Sequence, residues 1–183
     1  MGHFVETSGN PDMQHFYHTK ISPFATDAIA KNDLHSQLVP LADEELKAFL
    51  FYKLSQAIGV GIQVDIDTVL TKSAISAHIE LVDLVRILGI LLDNAIEEVM
   101  GLDAGTIHLK IASSGHMAVY TVKNTIGEDV QAKGIRPGVS TKGPGRGHGL
   151  FSIHRMLEKY DHITLNSYFS PGNIFVQSLV INM

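Results

Sequence analysis

The chain has 183 residues, of which 45% are hydrophobic and 18% are charged, and this is enough for one domain with a buried core. It contains no Cys, which excludes disulfides, thiolate metal sites, iron–sulfur clusters and Cys nucleophiles. The formal net charge of −5 argues against sequence-independent binding to nucleic acid.

The first third of the chain predicts two helices and a strand. Residues 13–32 can form a helix in which Pro23 lies at a break or in a first turn. Asp43 is a suitable N-cap for a second helix that stops at Gly59. The stripe of this helix consists of Leu46, Phe49, Leu50, Lys53, Leu54 and Ala57. Residues 61–69 alternate apolar and acidic side chains, which predicts a half-buried strand.

Residues 81–100 form the strongest predicted helix. Asp83 lies at a favourable capping position, and apolar residues recur at intervals of three or four: Leu84, Leu88, Leu91, Ala95 and Val99. Residues 106–112 and 117–124 then predict two strands, joined by a turn at residues 113–115.

The last part of the chain begins with a long stretch of weak periodicity. Residues 125–146 are rich in Gly and Pro, which is typical of a functional lid, a disordered segment or a wrongly assigned element. Residues 147–160 predict a short helix, and residues 162–168 and 174–181 predict two closing strands. Because helices and strands are segregated, we expect an α+β fold: a two-layer sandwich of one mixed sheet with helices on one face.

An Asp–Asn pair interrupts the apolar helix. Asn94 is a poor helix former, because its amide competes for backbone hydrogen bonds, and Asp93 precedes it among apolar neighbours. Oxygen ligands of this kind suit Mg²⁺, which takes one or two protein ligands and completes its shell with water and phosphate. The alternative is that both side chains lie on a solvated stripe beside Glu97 and Glu98.

Residues 138–150 combine glycines with positive charge. Four glycines would let the backbone approach phosphate oxygens, and a predicted helix follows them: Gly143, Gly145, Gly147 and Gly149. Lys142 and Arg146 add cations that suit phosphate. The segment matches neither a Walker A loop nor a dinucleotide-binding fingerprint. The alternative is a flexible loop with incidental charge.

Together the two segments resemble the ATP-binding catalytic domain of sensor histidine kinases, in the superfamily shared with gyrase B and MutL. DLVRILGILLDNAIEE (residues 83–98) resembles the N box of that family, and GRGHGL (residues 145–150) resembles its G2 box. The resemblance covers about residues 40–183 and implies a Bergerat-type ATP-binding fold. The G2 region is most similar to the peptide-pheromone and citrate or dicarboxylate sensors, and the short N box favours the pheromone, quorum-sensing branch.

The resemblance implies a role for each matching residue. Asn94 would bind the Mg²⁺ that bridges the ATP phosphates, and Lys142 and Arg146 would face the β- and γ-phosphates as the other catalytic residues. Residues 125–146 would form a mobile ATP lid. His148 would either contact a phosphate or point outward. The implied nucleotide-binding set is Asp93, Asn94, Asn124, Lys142, Gly145, Arg146, Gly147, His148, Gly149 and Leu150.

The chain departs from the family pattern at three points. The DxGxG box that receives adenine is replaced by VKNTIGED (residues 122–129), in which Asn124 is the expected adenine-side residue. Ile90 lies four residues before Asn94, where many relatives carry Asn or a catalytic Glu, and this favours transfer to a protein group over rapid hydrolysis. None of the ten His residues has the phosphoacceptor context of the pheromone branch.

The resemblance therefore predicts a histidine kinase domain at residues 40–183 that uses ATP and Mg²⁺ to phosphorylate a histidine elsewhere. Residues 1–39 would be a tail with the remnant of a dimerisation helix. The expected partners are a second copy in the full-length protein and a response regulator, but not nucleic acid. Two alternatives stay open: an anti-sigma-type Ser/Thr kinase switch, and a degenerate, non-catalytic interaction module, which the missing DxGxG box favours.

The expected location is the cytoplasmic side of a membrane-anchored sensor. The most apolar stretch, residues 81–96, is interrupted by Asp83, Arg86 and Asp93, and so does not predict a membrane span. The N-terminus lacks the basic and apolar segments of a signal peptide. Any membrane attachment would therefore come from an upstream region.

Overall fold

The computed structural model describes residues 22–70, 78–128, 130 and 148–183. Its helices are α1 (Ser22–Leu38), α2 (Glu44–Gly59), α3 (Leu81–Met100) and α4 (His148–Leu157). Its strands are β1 (Gln63–Leu70), β2 (Thr106–Ser114), β3 (Met117–Thr125), β4 (Ile163–Ser170) and β5 (Ile174–Asn182). Most of the predicted lid lies outside the described residues. No helix within these ranges is both long and apolar enough to cross a lipid bilayer.

The strands form one mixed sheet in the order β1-β2-β3-β5-β4. β1 is parallel to β2, because the connection through α3 returns the chain to the same end of the sheet. The other neighbouring strands are antiparallel, and β2–β3 and β4–β5 are joined by short turns. Gly172 and Asn173 give the second turn its left-handed residues, with φ angles of 83° and 57°.

One face of the sheet packs against the helices. Leu109 of β2 pairs with Val122 of β3, and Tyr120 of β3 pairs with Leu179 of β5, and all four side chains are buried. They share one core with the buried stripes of α2 and α3: Leu46, Leu50, Leu54, Ala57, Leu84, Leu88, Leu91, Ala95 and Val99. The opposite face exposes charged residues such as Asp65, Asp67 and Lys110. The predicted α+β sandwich with helices on one face is confirmed.

The first two helices differ in detail from the prediction. In the described part of the chain, Pro23 is the second residue of α1, where its missing N–H breaks no helical hydrogen bond. α1 continues to Leu38, beyond the predicted end at residue 32, because Leu34 and Leu38 bury their side chains in the core. Asp43 caps α2 as predicted, accepting a hydrogen bond of 2.9 Å from the backbone N–H of Leu46.

The predicted capping role of Asp83 is wrong. Glu80 is the N-cap of α3, and Asp83 is the third residue of the helix. The Asp83 side chain is 2% exposed and accepts hydrogen bonds from the Tyr160 hydroxyl (2.8 Å) and the Lys159 ammonium (3.1 Å). A capping residue lies just outside its helix, whereas Asp83 joins the first turn of α3 to the segment that follows α4.

Candidate functional site

Asn94 lies in the middle of α3 at the border between core and surface. Its neighbours Leu91, Leu92 and Ala95 are buried, whereas Asn94 is half-buried. The solvated stripe of the alternative interpretation thus contains the exposed Asp93 and Glu97, whereas Asn94 lies at its border with the core. An amide in this position is accessible to a ligand and is fixed by the packed helix that carries it.

α4 approaches Asn94 through a glycine. A Cβ built on Gly149 would lie 2.8 Å from Ile90 Cγ2, 3.7 Å from Asn94 Nδ2 and 3.8 Å from Asn94 Oδ1. The contact with Ile90 is too short for two carbon atoms, and Ile is stiff because it is β-branched. Glycine therefore allows α4 to lie this close to α3.

The N-terminus of α4 adds backbone donors to this contact. α4 begins at His148, so the N–H groups of its first turn have no acceptor within the helix. Such a helix end attracts anions, and the amide oxygen of Asn94 suits Mg²⁺. The backbone N–H groups of this turn and the amide of Asn94 are therefore the groups here that could hold a phosphate and its divalent cation. Leu150, in the same turn, is half-buried and packs on the core.

The rest of the predicted glycine box is not described. Lys142, Gly145, Arg146 and Gly147 lie outside the described residues, and so does the side chain of His148. Their predicted contacts with phosphate remain predictions.

Asp93 pairs with α2. Its Oδ1 lies 2.6 Å from Nζ of Lys53, and the two side chains are 51% and 20% exposed. The sequence analysis assigned Lys53 to the stripe of α2 and missed this ion pair. A Lys within an apolar stripe can extend its ammonium either to solvent or to a carboxylate on a neighbouring helix, and the spacing does not distinguish the two.

Asn124 lies near the end of β3 on the helix-facing side, and it is 3% exposed. Its Nδ2 donates a hydrogen bond of 2.8 Å to the carbonyl of Thr125. The C-terminal turn of α3 reaches this end of the sheet, because a Cβ on Gly105 would lie 2.8 Å from Val99 Cγ1 and 3.3 Å from Thr125 Cβ. Asn94 is about 7.5 Å before Val99 along the helix axis, at ~1.5 Å per residue. Asn94 therefore lies beside Gly149, whereas Asn124 lies in the sheet against which α3 packs.

Comparison with known proteins identifies the family. The GHKL domain family matches residues 79–182, a range that contains Asn94 and Gly149. The Sensor protein CitS of Bacillus subtilis (strain 168) is 31% identical over 128 residues, which cover 67% of this chain and 23% of CitS. The chain therefore spans about a quarter of the length of that relative.

Solved structures share the fold. The catalytic domain of histidine kinase ThkA in a nucleotide-free form has a TM-score of 0.55 at 18% identity, over 77% of this chain and 91% of that chain. Full-length ShkA in complex with AMPPNP has a TM-score of 0.52 at 16% identity, over 96% of this chain and 40% of that chain. Neither the anti-sigma-type switch nor the non-catalytic module is favoured. The chain therefore belongs to the GHKL domain family.

Proposed function

We propose that this chain is the ATP-binding catalytic domain of a sensor histidine kinase and transfers the γ-phosphate of ATP to a histidine outside residues 40–183. The observation that carries the proposal is the contact between Gly149, at the N-terminus of α4, and Asn94 of α3. Both residues belong to the range that matches the family, and ShkA, which has a similar fold, was solved with AMPPNP.

The nucleotide phosphates bind between α3 and α4. Asn94 offers its amide oxygen to Mg²⁺, and the backbone N–H groups of Gly149 and Leu150 face phosphate oxygens. Mg²⁺, when bound, neutralises charge on the phosphate chain. Lys142 and Arg146 add positive charge from the end of the lid. The same box contributes Gly145, Gly147 and His148 to the phosphate side of the site.

Asn124 is the adenine-side residue of the proposal. Its Nδ2 is engaged with the carbonyl of Thr125, which leaves Oδ1 to accept a hydrogen bond from the exocyclic amine of adenine. An Asn can therefore replace the Asp of the usual DxGxG box in this one contact.

Ile90 favours transfer over hydrolysis. It is half-buried and lies directly against the Gly149 position, one turn before Asn94. An apolar side chain there neither orients a water molecule nor accepts its proton. Phosphoryl transfer requires little covalent chemistry from the protein, so positioning and charge neutralisation carry the rate once an imidazole nitrogen arrives from another segment.

The wider assignment follows the sequence motifs. We assign the domain to the quorum-sensing branch, where the whole protein would be a dimeric membrane receptor for a peptide and would pass its phosphoryl group to a response regulator. The short N box and the missing DxGxG box support this branch. In this assignment, residues 40–183 are the catalytic domain, and α1 packs on it from the preceding segment.

Calorimetric titration with ATP and ADP, with and without Mg²⁺, tests the proposal. Asn94→Ala and Asn94→Asp should each weaken Mg-ATP binding about tenfold or more, because the first removes the amide and the second adds negative charge beside the phosphates. Asn166→Ala, at an exposed position on β4, is the matched control and should bind like the wild type. Circular dichroism should be unchanged in all variants.

Two outcomes would contradict the proposal. Wild-type affinity in both Asn94 variants would remove Asn94 from the site. No binding of either nucleotide to the wild-type chain at millimolar concentration would overturn the proposed function itself.

A further inference from the structure

An ion pair joins α2 to the turn of α3 that carries Asn94. Lys53 lies on α2 between buried residues Leu50 and Leu54, and its side chain is only 20% exposed. Its Nζ lies 2.6 Å from Oδ1 of Asp93 on α3, 40 positions further along the chain. Asp93 directly precedes Asn94, so this pair and the proposed Mg²⁺ ligand occupy the same turn of α3.

A second pair on α2 shows what is special about this one. Lys47 is 19% exposed, and its Nζ lies 2.7 Å from Oε1 of Glu44, three residues earlier in the same helix. Both Lys residues are thus equally sheltered and equally close to a carboxylate. Only the Lys53 pair connects α2 to the helix that carries Asn94.

The position of Asp93 creates an electrostatic problem for nucleotide binding. ATP remains anionic even with one Mg²⁺, and a carboxylate next to its phosphates repels it. Asp93 is half-exposed, so solvent screens its charge only in part. The ammonium of Lys53 cancels this charge and holds the carboxylate against α2.

We propose that Lys53 is a positioning residue for the nucleotide site: it neutralises Asp93 and keeps that carboxylate turned toward α2, so that the phosphates meet the amide of Asn94. This inference rests on the proposed function of Asn94 and α4. It assigns Asp93 an indirect role, as the partner of Lys53, in place of a direct contact with the nucleotide.

The test is a double-mutant cycle on nucleotide affinity. Lys53→Met keeps the length and apolar stem of the side chain but leaves Asp93 unpaired, and it should weaken ATP binding about fivefold at low salt. The loss should be larger for ATP without Mg²⁺, which carries more negative charge, and smaller at high salt. Asp93→Asn in the Lys53→Met background should restore affinity to within about twofold of the wild type.

Three further variants separate this positioning role from a direct contact of Lys53 with the nucleotide and from a role in helix packing alone. Asp93→Asn alone should bind ATP about twofold more tightly, because it leaves the Lys53 charge uncompensated near the phosphates. Lys53→Arg should bind like the wild type, because it keeps the charge. Lys47→Met should also bind like the wild type, since it removes an equally sheltered charge from the same helix but not from the site.

Binding constants and the unfolding temperature of the nucleotide-free protein are the readouts. Wild-type affinity of Lys53→Met at low salt would overturn the inference. A double variant as weak as Lys53→Met would also overturn it, because Lys53 would then act on the nucleotide directly or only through helix packing. These results leave the proposed function standing, whereas a wild-type chain that binds no ATP overturns the proposed function and the inference together.

Discussion

Asn94 contributes an amide to the site, whereas Gly149 has no side chain and so allows α4 to lie close to α3. Tyr120 differs from both, because its polar group has no role in the proposed site. Its side chain is fully buried in β3, and its hydroxyl has no hydrogen-bond partner among the described residues. Burial, followed by the negative charge of Asp43, raises the pKa of this phenol far above its ordinary value. The hydroxyl is therefore a neutral, unpaired group in the core.

Tyr120→Phe should leave the free energy of unfolding unchanged or raise it by up to about 1 kcal/mol. The substitution removes a buried hydroxyl that makes no hydrogen bond and keeps the ring that fills the core. Urea unfolding measures the change. Tyr52→Phe is the control, because the exposed Tyr52 hydroxyl accepts a hydrogen bond from Gln56 at 2.9 Å, and its loss should cost a few tenths of a kcal/mol at most. A destabilisation of Tyr120→Phe by more than about 1 kcal/mol would mean that the hydroxyl has a partner.

α3 carries Asn94, and both α2 and α4 contact α3 close to that residue. Its middle contacts α2 through Asp93 and Lys53, and contacts α4 through Ile90 and Asn94 beside Gly149. α3 is also buried along one face against the sheet, so it has little freedom to adjust when a neighbour changes. The distance between α3 and α4 is therefore set by the side chains at their contact.

Gly149→Ala should push α4 away from α3. The new Cβ would lie 2.8 Å from Ile90 Cγ2, and overpacking of this kind costs about 1–3 kcal/mol, more than the ~1 kcal/mol that Ala gains over Gly within a helix. We expect a lower unfolding temperature and weaker ATP binding. Ile90→Ala removes Cγ2 and should partly restore both in the double variant.

Gly59→Ala is the control for this prediction. Gly59 is also helical, but a Cβ there would meet nothing within 4 Å, so this variant should be as stable as the wild type or slightly more stable. Gly149→Ala with wild-type stability and wild-type affinity would show that the close approach of α4 is not required.

Over the whole molecule, the sequence predicts elements well and long-range pairs poorly. α3 has the predicted bounds of residues 81–100, because burial of one face repeats with the period of the helix. Asn94 and Gly149 were predicted from motifs and do lie together. The Lys53–Asp93 pair and the bonds of Asp83 were not predicted, because they form only when helices distant in sequence pack together.

Asp83 joins distant parts of the chain and links global stability to pH. Burial raises the pKa of its carboxyl, but hydrogen bonds from Tyr160 and Lys159, with the charges of Lys159 and Arg86, outweigh burial and hold that pKa below its ordinary value. The folded state therefore binds this proton more weakly than the unfolded state. The stabilisation is complete above the unfolded-state pKa of about 3.9 and is lost as the pH falls through the lower folded-state pKa.

Asp83→Asn should reveal how much the charge of Asp83 contributes to the free energy of unfolding. At about pH 7 the variant should lose about 1–2 kcal/mol of unfolding free energy, because Asn can still accept from Tyr160 but no longer carries the charge that attracts Lys159. The deficit should shrink at about pH 3, where the wild type also begins to lose the charge. Urea unfolding between about pH 7 and about pH 3 measures this deficit. Asp161→Asn, at an exposed position in the turn after Tyr160, is the control and should match the wild type throughout. Because Lys159 is itself largely exposed, a deficit that stayed constant from about pH 7 to about pH 3 would indicate that Asp83 acts through its shape and its bond to Tyr160 rather than through its charge.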